Sequence, residues 1–367
     1  MATRPVRRLG ILTGGGDCPG LNAVIRAVAK TAIYQHEIEV FGIEDGFLGL
    51  IENRIRRLHS ADVSNIITLG GTILGSSNKA DPARFPTGYN EAGEPVFKDV
   101  TGDCLRHIEE HKLDALCLIG GDGTMTGAQP FIDAGINCIG LPKTIDNDLE
   151  GTDITFGFST AVQTATEAID RVHTTAQSHH RVMIVEVMGR NAGWIALYAG
   201  AASGSDVILL PEIPYSLEAI CDFARFRGKH GKRFSIVCIA EGAKPEGGRP
   251  VVSRIDPTSP DPIRLGGIGE RLADDIERCT GIETRAIVLG HVIRGGTPIA
   301  FDRVLGTRFG YHAVHLLTTG ATSRMVVMRN GEVTDIDIRA VANKQRLVPR
   351  DHQLIEAAKS VGTCFGE

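Results

Sequence analysis

A basic excess is missing from this chain: 39 Lys and Arg stand against 44 Asp and Glu, for a formal net charge of −5. Nucleic-acid binders carry the opposite balance, so nucleic acid is not an expected partner. Long apolar runs are missing too. The longest are of strand length, so no membrane span is expected. Met1–Arg8 is basic but has no apolar run long enough for a signal peptide. None of the eight cysteines forms a C-x-x-C pair, and no zinc site is visible. Cys117, Cys138 and Cys238 sit inside apolar runs and read as buried thiols of a reduced, cytoplasmic protein. No repeat of 20–50 residues and no low-complexity tract is present.

What remains is ordinary globular composition, 42% hydrophobic and 23% charged, over 367 residues. That length suggests two lobes rather than one core. Short β-rich runs at Leu9–Thr13, Ala115–Ile119, Cys138–Leu141, Val182–Val187 and Phe234–Ala240 alternate with helical patterns. In the first pattern Leu21, Val24, Ile25 and Val28 form one apolar stripe, and Ala161–Thr175 and Ile268–Cys279 are also periodic. This order predicts an α/β fold of mostly parallel sheets with helices on both faces, and ligands at the carboxyl ends of strands. Two polar, proline-bearing segments, Ser76–Asp99 and Lys244–Gly267, read as surface insertions, either mobile lids or peripheral decoration.

The chemistry lies in the loops that leave the strands. Gly14-Gly15-Gly16-Asp17-Cys18-Pro19-Gly20 opens a helix. It is neither a Walker A loop nor G-x-G-x-x-G, and alone it fits a phosphate cradle or a tight structural turn. In Gly120-Gly121-Asp122-Gly123-Thr124 a carboxylate sits among bare amides, which suits a magnesium ion bridging donor phosphates; a helix-capping Asp is the plain alternative. In Lys143-Thr144-Ile145-Asp146-Asn147-Asp148, an extended backbone would turn both carboxylates to one side. Two such carboxylates repel unless a cation or shared proton relieves them. Arg181, Arg190, Arg285 and Arg294, beside strand ends with glycine neighbours, suit anionic phosphates through their guanidinium forks. His179 and His180 read as polar helix-end residues.

Together with Met188-Gly189-Arg190, Ala240-Glu241-Gly242 and Gly290-His291-Val292-Ile293-Arg294-Gly295-Gly296, these motifs resemble the 6-phosphofructokinases in kind and order, from Gly10 to about Arg303. Lys143, Phe301-Asp302-Arg303-Val304-Leu305 and the run Thr175–Arg181 resemble the actinobacterial-type branch, which holds both ATP-dependent and pyrophosphate-dependent enzymes. The resemblance implies two unequal α/β lobes: a donor lobe of residues 1–157 plus 293–343 and a sugar-phosphate lobe of 158–292 plus 344–367. It implies phosphoryl transfer from ATP to the C1 hydroxyl of fructose 6-phosphate in glycolysis, with Mg2+ as cofactor and pyrophosphate as the alternative donor. Asp146 resembles the catalytic base, Thr144 a contact to the transferred phosphate and sugar, and Arg190 the arginine that stabilises transition-state charge. Asp122 and Asp148 resemble the magnesium carboxylates. Gly16, Asn78, Lys79, Asp122, Gly123, Thr124 and Lys143 fall at donor positions. Met188, Gly189, Glu241, His291 and Arg294 fall at sugar-phosphate positions. Arg181 and Arg285 resemble arginines contributed by a neighbouring subunit, so a homodimer or homotetramer with shared sites is implied.

Departures concentrate at the donor. Gly75-Ser76-Ser77-Asn78-Lys79 lacks the arginine of the best-known bacterial ATP enzymes, Glu44 replaces a Tyr, and Lys143 replaces a Gly. Gly123 weighs the other way, because many pyrophosphate-dependent members carry an Asp there that would crowd an α-phosphate. ATP is therefore the expected donor. Arg26 and Lys30 lie one helical turn apart where bacterial relatives place effector-binding arginines; a solvated face is the alternative. A nicotinamide dinucleotide kinase shares only the Gly-Gly-Asp-Gly-Thr, and an inactive regulatory subunit would have lost carboxylates or arginines that are all present.

Overall fold

The computed structural model describes residues 5–259 and 261–367. The start of the basic N-terminal stretch, Met1–Arg4, lies outside them. The strands are β1 (Arg8–Thr13), β2 (Glu39–Ile43), β3 (Ile55–Leu58), β4 (Phe85–Tyr89), β5 (Pro95–Lys98), β6 (Ala115–Gly120), β7 (Asn137–Thr144) and β8 (Phe156–Gly157). They continue with β9 (Val182–Val187), β10 (Val207–Leu209), β11 (Ser235–Ala240), β12 (Val252–Ile255), β13 (Ile263–Leu265), β14 (Thr284–Val288), β15 (Arg324–Arg329) and β16 (Glu332–Asp337).

Two sheets organise the chain. The larger runs β16-β15-β7-β6-β1-β2-β3, with β8 added to the end of β7. It is parallel except at its edges, where β2–β3 and β15–β16 are antiparallel. The smaller sheet, β10-β11-β9-β14, is parallel throughout.

Side chains alternate between faces of a strand, and both faces here are covered. Leu9, Ile11, Cys117 and Ile119 enter one core, while Leu12, Leu116 and Leu118 enter another on the opposite face. In the small sheet Met183 and Val185 join the first core and Val182 and Ile184 a third. That first core runs continuously between the two sheets through the helix Phe158–His179. Burial on both faces is why these strands read as unbroken apolar runs. Cys117, Cys138 and Cys238 are fully buried, as expected.

Several expectations need correction. β7 does not stop at Leu141 but continues to Thr144, which places Lys143 and Thr144 on the strand itself. The helices extend beyond their periodic stretches, to Phe158–His179 and Ile268–Thr280. Both proline-bearing segments contain antiparallel hairpins, β4–β5 and β12–β13. The first is not mere decoration, because Ser76 and Ser77 pair with the glycine loop after β1. Among the described residues no helix is long and apolar enough to cross a membrane.

Candidate active site

The loop after β1 is tied down from two sides. Gly14 N–H donates to the Ile119 carbonyl (2.9 Å), Gly15 N–H donates to that of Ser77 (3.1 Å), and the Ser76 hydroxyl donates to the Gly15 carbonyl (2.5 Å). Glycine is required here by close approach. A Cβ on Gly14 would lie 2.6 Å from the Thr124 hydroxyl, and one on Gly16 would lie 2.7 Å from Arg294 Nη1. The cleared space lets two cations reach the loop: Lys143 Nζ donates to the Gly16 carbonyl, and Arg294 Nη1 to that of Asp17 (3.1 Å). An open cavity of about 350 Å3 lies alongside, lined by Gly15, Gly16, Asp17, Thr72, Ser76 and Asn78. Thr72 and Ser76 had no sequence signal beyond their neighbourhood; hydroxyl hydrogen bonds to Thr13 and Gly15 bring them in.

Asp122 and Gly123 begin the short helix Asp122–Gly127 after β6, with no side-chain cap at its N-terminus. The capping role open to Asp122 is therefore not used. Gly123 is exposed, and a Cβ there would have no heavy atom of the described residues within 4 Å. Lys79, expected at the donor, instead pairs with Asp256 at 3.0 Å. Glu44 is held by Arg56 (3.2 Å).

Beyond β7 the chain is not extended, contrary to the sequence expectation. Asn147 is left-handed, with φ 52°, and its carbonyl Oδ1 accepts from Thr155 N–H (3.0 Å). This buried turn still leaves Asp146 and Asp148 side by side as electrostatic neighbours. Asp146 N–H donates to the Thr144 hydroxyl (3.1 Å), while Asp146 Oδ1 is buried without a hydrogen-bond partner among the described residues. Burial raises the Asp146 pKa, and Arg294, Lys143 and Arg190 pull against it. Burial, then the charges of Asp146 and Asp122, push Asp148 up to about 7. Burial depresses Lys143, with Arg294 adding to the effect. Two acids drawn toward neutrality beside three cations form a site poised for proton transfer and anion binding.

The small sheet supplies the opposite wall, from the carboxyl ends of β9, β11 and β14. Arg190 has φ 31°, its N–H donates to Glu241 (3.2 Å), and its guanidinium pairs with Asp261. Burial and then Asp146 raise Glu241 to about 7. Met188 and Gly189 precede Arg190, and His291 is exposed on the turn Gly290–Arg294.

Arg181 and Arg285 do not join this group. They lie at the amino-terminal ends of β9 and β14, so the expectation that all motifs sit at carboxyl ends fails for them. Both hold Glu283, at 3.3 and 2.9 Å, and Arg285 also pairs with Glu277. A six-residue strand separates them from Arg190 by about 20 Å. Arg181 Nε is buried without a partner among the described residues.

The family model described as phosphofructokinase matches residues 8–317. An ATP-dependent 6-phosphofructokinase 2 of Clostridium perfringens is 49% identical over 99% of this chain and 100% of its own length. A pyrophosphate–fructose 6-phosphate 1-phosphotransferase of Amycolatopsis methanolica is 47% identical over 93% of this chain and 96% of its own. Among solved structures, phosphofructokinase of Pichia pastoris in the T-state superposes with a TM-score of 0.78 at 29% identity, over 92% of this chain, which spans 35% of that longer one. Motif order, fold and full-length identity agree, and the chain belongs to the phosphofructokinase family.

Proposed function

We propose that this protein is an ATP-dependent 6-phosphofructokinase, transferring the terminal phosphoryl group of ATP to the C1 hydroxyl of fructose 6-phosphate to give fructose 1,6-bisphosphate and ADP. The observation that carries the reading is Asp146: a half-buried carboxylate, one oxygen unpartnered among the described residues, at the meeting point of Lys143, Arg190 and Arg294. In this role Asp146 accepts the C1 hydroxyl proton as the new O–P bond forms and the bond to ADP breaks. Arg190 holds charge on the transferring group, Thr144 and the backbone around Gly16 orient it, and Arg294 contacts the sugar phosphate. Met188, Gly189, Glu241 and His291 face the sugar phosphate. The donor occupies the cavity beside Gly16 and Asn78, and Gly123 and Thr124, at the start of the helix after β6, are its remaining contacts. Lys79 reaches it only by leaving Asp256.

Asp122 and Asp148 are the carboxylates suited to Mg2+: burial and then repulsion from Asp146 and Asp122 lift Asp148, and a divalent cation would relieve that repulsion. Among the described residues no three His, Cys, Asp or Glu cluster as a ready metal site, which fits an ion completed by donor phosphates and water. When bound, the ion neutralises charge on those phosphates.

Residues 1–157 plus 293–343 form the donor lobe and 158–292 plus 344–367 the sugar-phosphate lobe. The unpaired cysteines fit a reducing, cytoplasmic setting. Arg181 and Arg285, too far to serve their own site, complete that of a neighbouring subunit in a homodimer or homotetramer.

Pyrophosphate is the second reading, favoured by the buried Lys143 ammonium at Gly16 and by the Amycolatopsis relative. Open space at Gly123 favours ATP. Phosphorus NMR on purified protein with both substrates tests the reaction: a new phosphate ester at C1 with matching ADP is expected, and an unchanged sugar phosphate would overturn it.

A further inference from the structure

The segment after β16 lies beyond residues 8–317 that carry the family match, yet it reaches the loop after β7 that carries Asp146 and Asp148. Gln345 and Leu149 form an isolated antiparallel bridge, and Arg346 N–H donates to the Asp148 carbonyl at 2.7 Å. Arg346 Nη1 donates to the carbonyls of Asn147 (3.4 Å) and Asp153 (3.0 Å). Its guanidinium lies 4.3 Å from the centre of the Trp194 ring, and Trp194 Nε1 donates to the Arg346 carbonyl at 2.9 Å. The backbone at 345–346 is thereby pinned to the loop after β7 on one side and to the helix Trp194–Ala202 after β9 on the other.

From this fixed base the exposed Gln345 side chain bridges the loop after β7 and the loop after β9. Its Nε2 donates to Asp148 Oδ2 (3.4 Å), and its Oε1 accepts from Asn191 Nδ2 (3.0 Å). Asn191 follows Arg190 directly. Asn191 Nδ2 only donates, so Gln345 Oε1 accepts from it and Nε2 is left to donate to Asp148; one orientation of the amide satisfies both partners. Glu in its place would repel Asp148, and an apolar side chain would leave both partners unheld.

We propose that Gln345 is a positioning residue, joining the loop of Asp146 and Asp148 to the loop of Arg190 so that carboxylate and arginine face each other in fixed register. This rests on the function proposed above. Gln345 touches neither reacting atom; it acts through Asp148 and Asn191. Losing one ordinary hydrogen bond, worth up to about 1.5 kcal/mol, corresponds to about tenfold in rate if the bond orients the transition state.

The test uses the full chain with Gln345→Leu, Gln345→Glu and Asn191→Ala, alone and combined. Two readouts apply: steady-state kinetics, and amide hydrogen exchange over residues 145–153 and 189–193. Gln345→Leu is expected to lower kcat about tenfold, to change the fructose 6-phosphate KM less than threefold, and to speed exchange in both segments. Gln345→Glu is expected to lower kcat as well. The double variant combining Gln345→Leu with Asn191→Ala should lose less than the product of the single effects, because both break one connection. If Gln345→Leu also lowers the melting temperature, Gln345→Glu, which keeps size and shape, decides. A variant with wild-type kcat overturns the proposal, even if exchange is faster, since the contact would then be structural alone. Exchange that responds while the wild type fails to phosphorylate fructose 6-phosphate would sink the proposed function instead, and with it any positioning role in that reaction.

Discussion

Asp146 is set apart from the other acids by its surroundings: burial favours its neutral form while three cations favour the charged one. Replacing it with Ala is expected to lower turnover by about 10²–10⁴ from lost base catalysis while sugar-phosphate binding persists. Near-normal kcat would remove Asp146 from the role. The neighbouring acids make a separate expectation about pH. Asp148 and Glu241 titrate at about 7 in the folded chain, well above their ordinary values. The fold therefore holds more protons than the unfolded chain between about pH 4 and 7, and stability falls as pH rises through that window. Asp148→Asn cannot ionise. It is expected to melt several degrees above wild type at pH 8, with the gap closing toward pH 5, although it loses activity. A constant gap across pH would contradict the burial and repulsion assigned to this acid. At this scale the sequence named the carboxylates and their lysine but missed their arrangement. An Asn in the left-handed region is locally permitted, and the partner that holds it, Thr155, is set by the turn rather than by a pattern.

At the scale of elements, the glycines after β1 and β6 are one packing unit around Thr124. A Cβ on Gly120 would lie 2.1 Å from the Thr124 hydroxyl, so Gly120→Ala is expected to cost about 1–3 kcal/mol of stability by overpacking. Denaturant unfolding with no shift in midpoint would contradict this. Gly123 is the opposite case, since its surroundings are open. Gly123→Asp should fold as wild type does. Its carboxylate would meet the α-phosphate of ATP at about 3 kcal/mol for charges ~5 Å apart at an effective dielectric of ~20. That is about a 10²-fold loss of kcat/KM for ATP, with a smaller loss for pyrophosphate, measured by initial rates on both donors. Unchanged ATP kinetics would sink the assignment. β1, β6, β9 and β11 were legible because burial on both faces writes a continuous apolar run. β2, β3, β14, β15 and β16 were not singled out. Their stretches are partly exposed or charged, as in Arg56-Arg57 and Glu332-Val333-Thr334-Asp335, and pairing partners rather than composition settle them.

Over the whole molecule, the division of the arginines matters most. Arg190 and Arg294 stand at the cleft while Arg181 and Arg285 stand at the opposite, amino-terminal end of the small sheet's strands, around Glu283. In the sequence Arg181 already stands before the strand Val182–Val187 and Arg190 after it, whereas the end of a strand at which Arg285 falls was not legible, because β14 was not singled out. If subunits share sites, Asp146→Ala and Arg285→Ala oligomers are each nearly inactive at low sugar phosphate, and mixed oligomers regain part of the activity. No recovery in oligomers proven mixed by tag would place Arg285 outside the site. Beneath this lies the identity of the two substrates. The most direct measurement is the initial rate of fructose 1,6-bisphosphate formation by the purified wild-type chain, with Mg2+ and fructose 6-phosphate, supplied with ATP in one reaction and pyrophosphate in another. The expected result is rapid product formation with ATP and a much lower kcat/KM with pyrophosphate; turnover with pyrophosphate alone would contradict the donor, and turnover with neither would contradict the function.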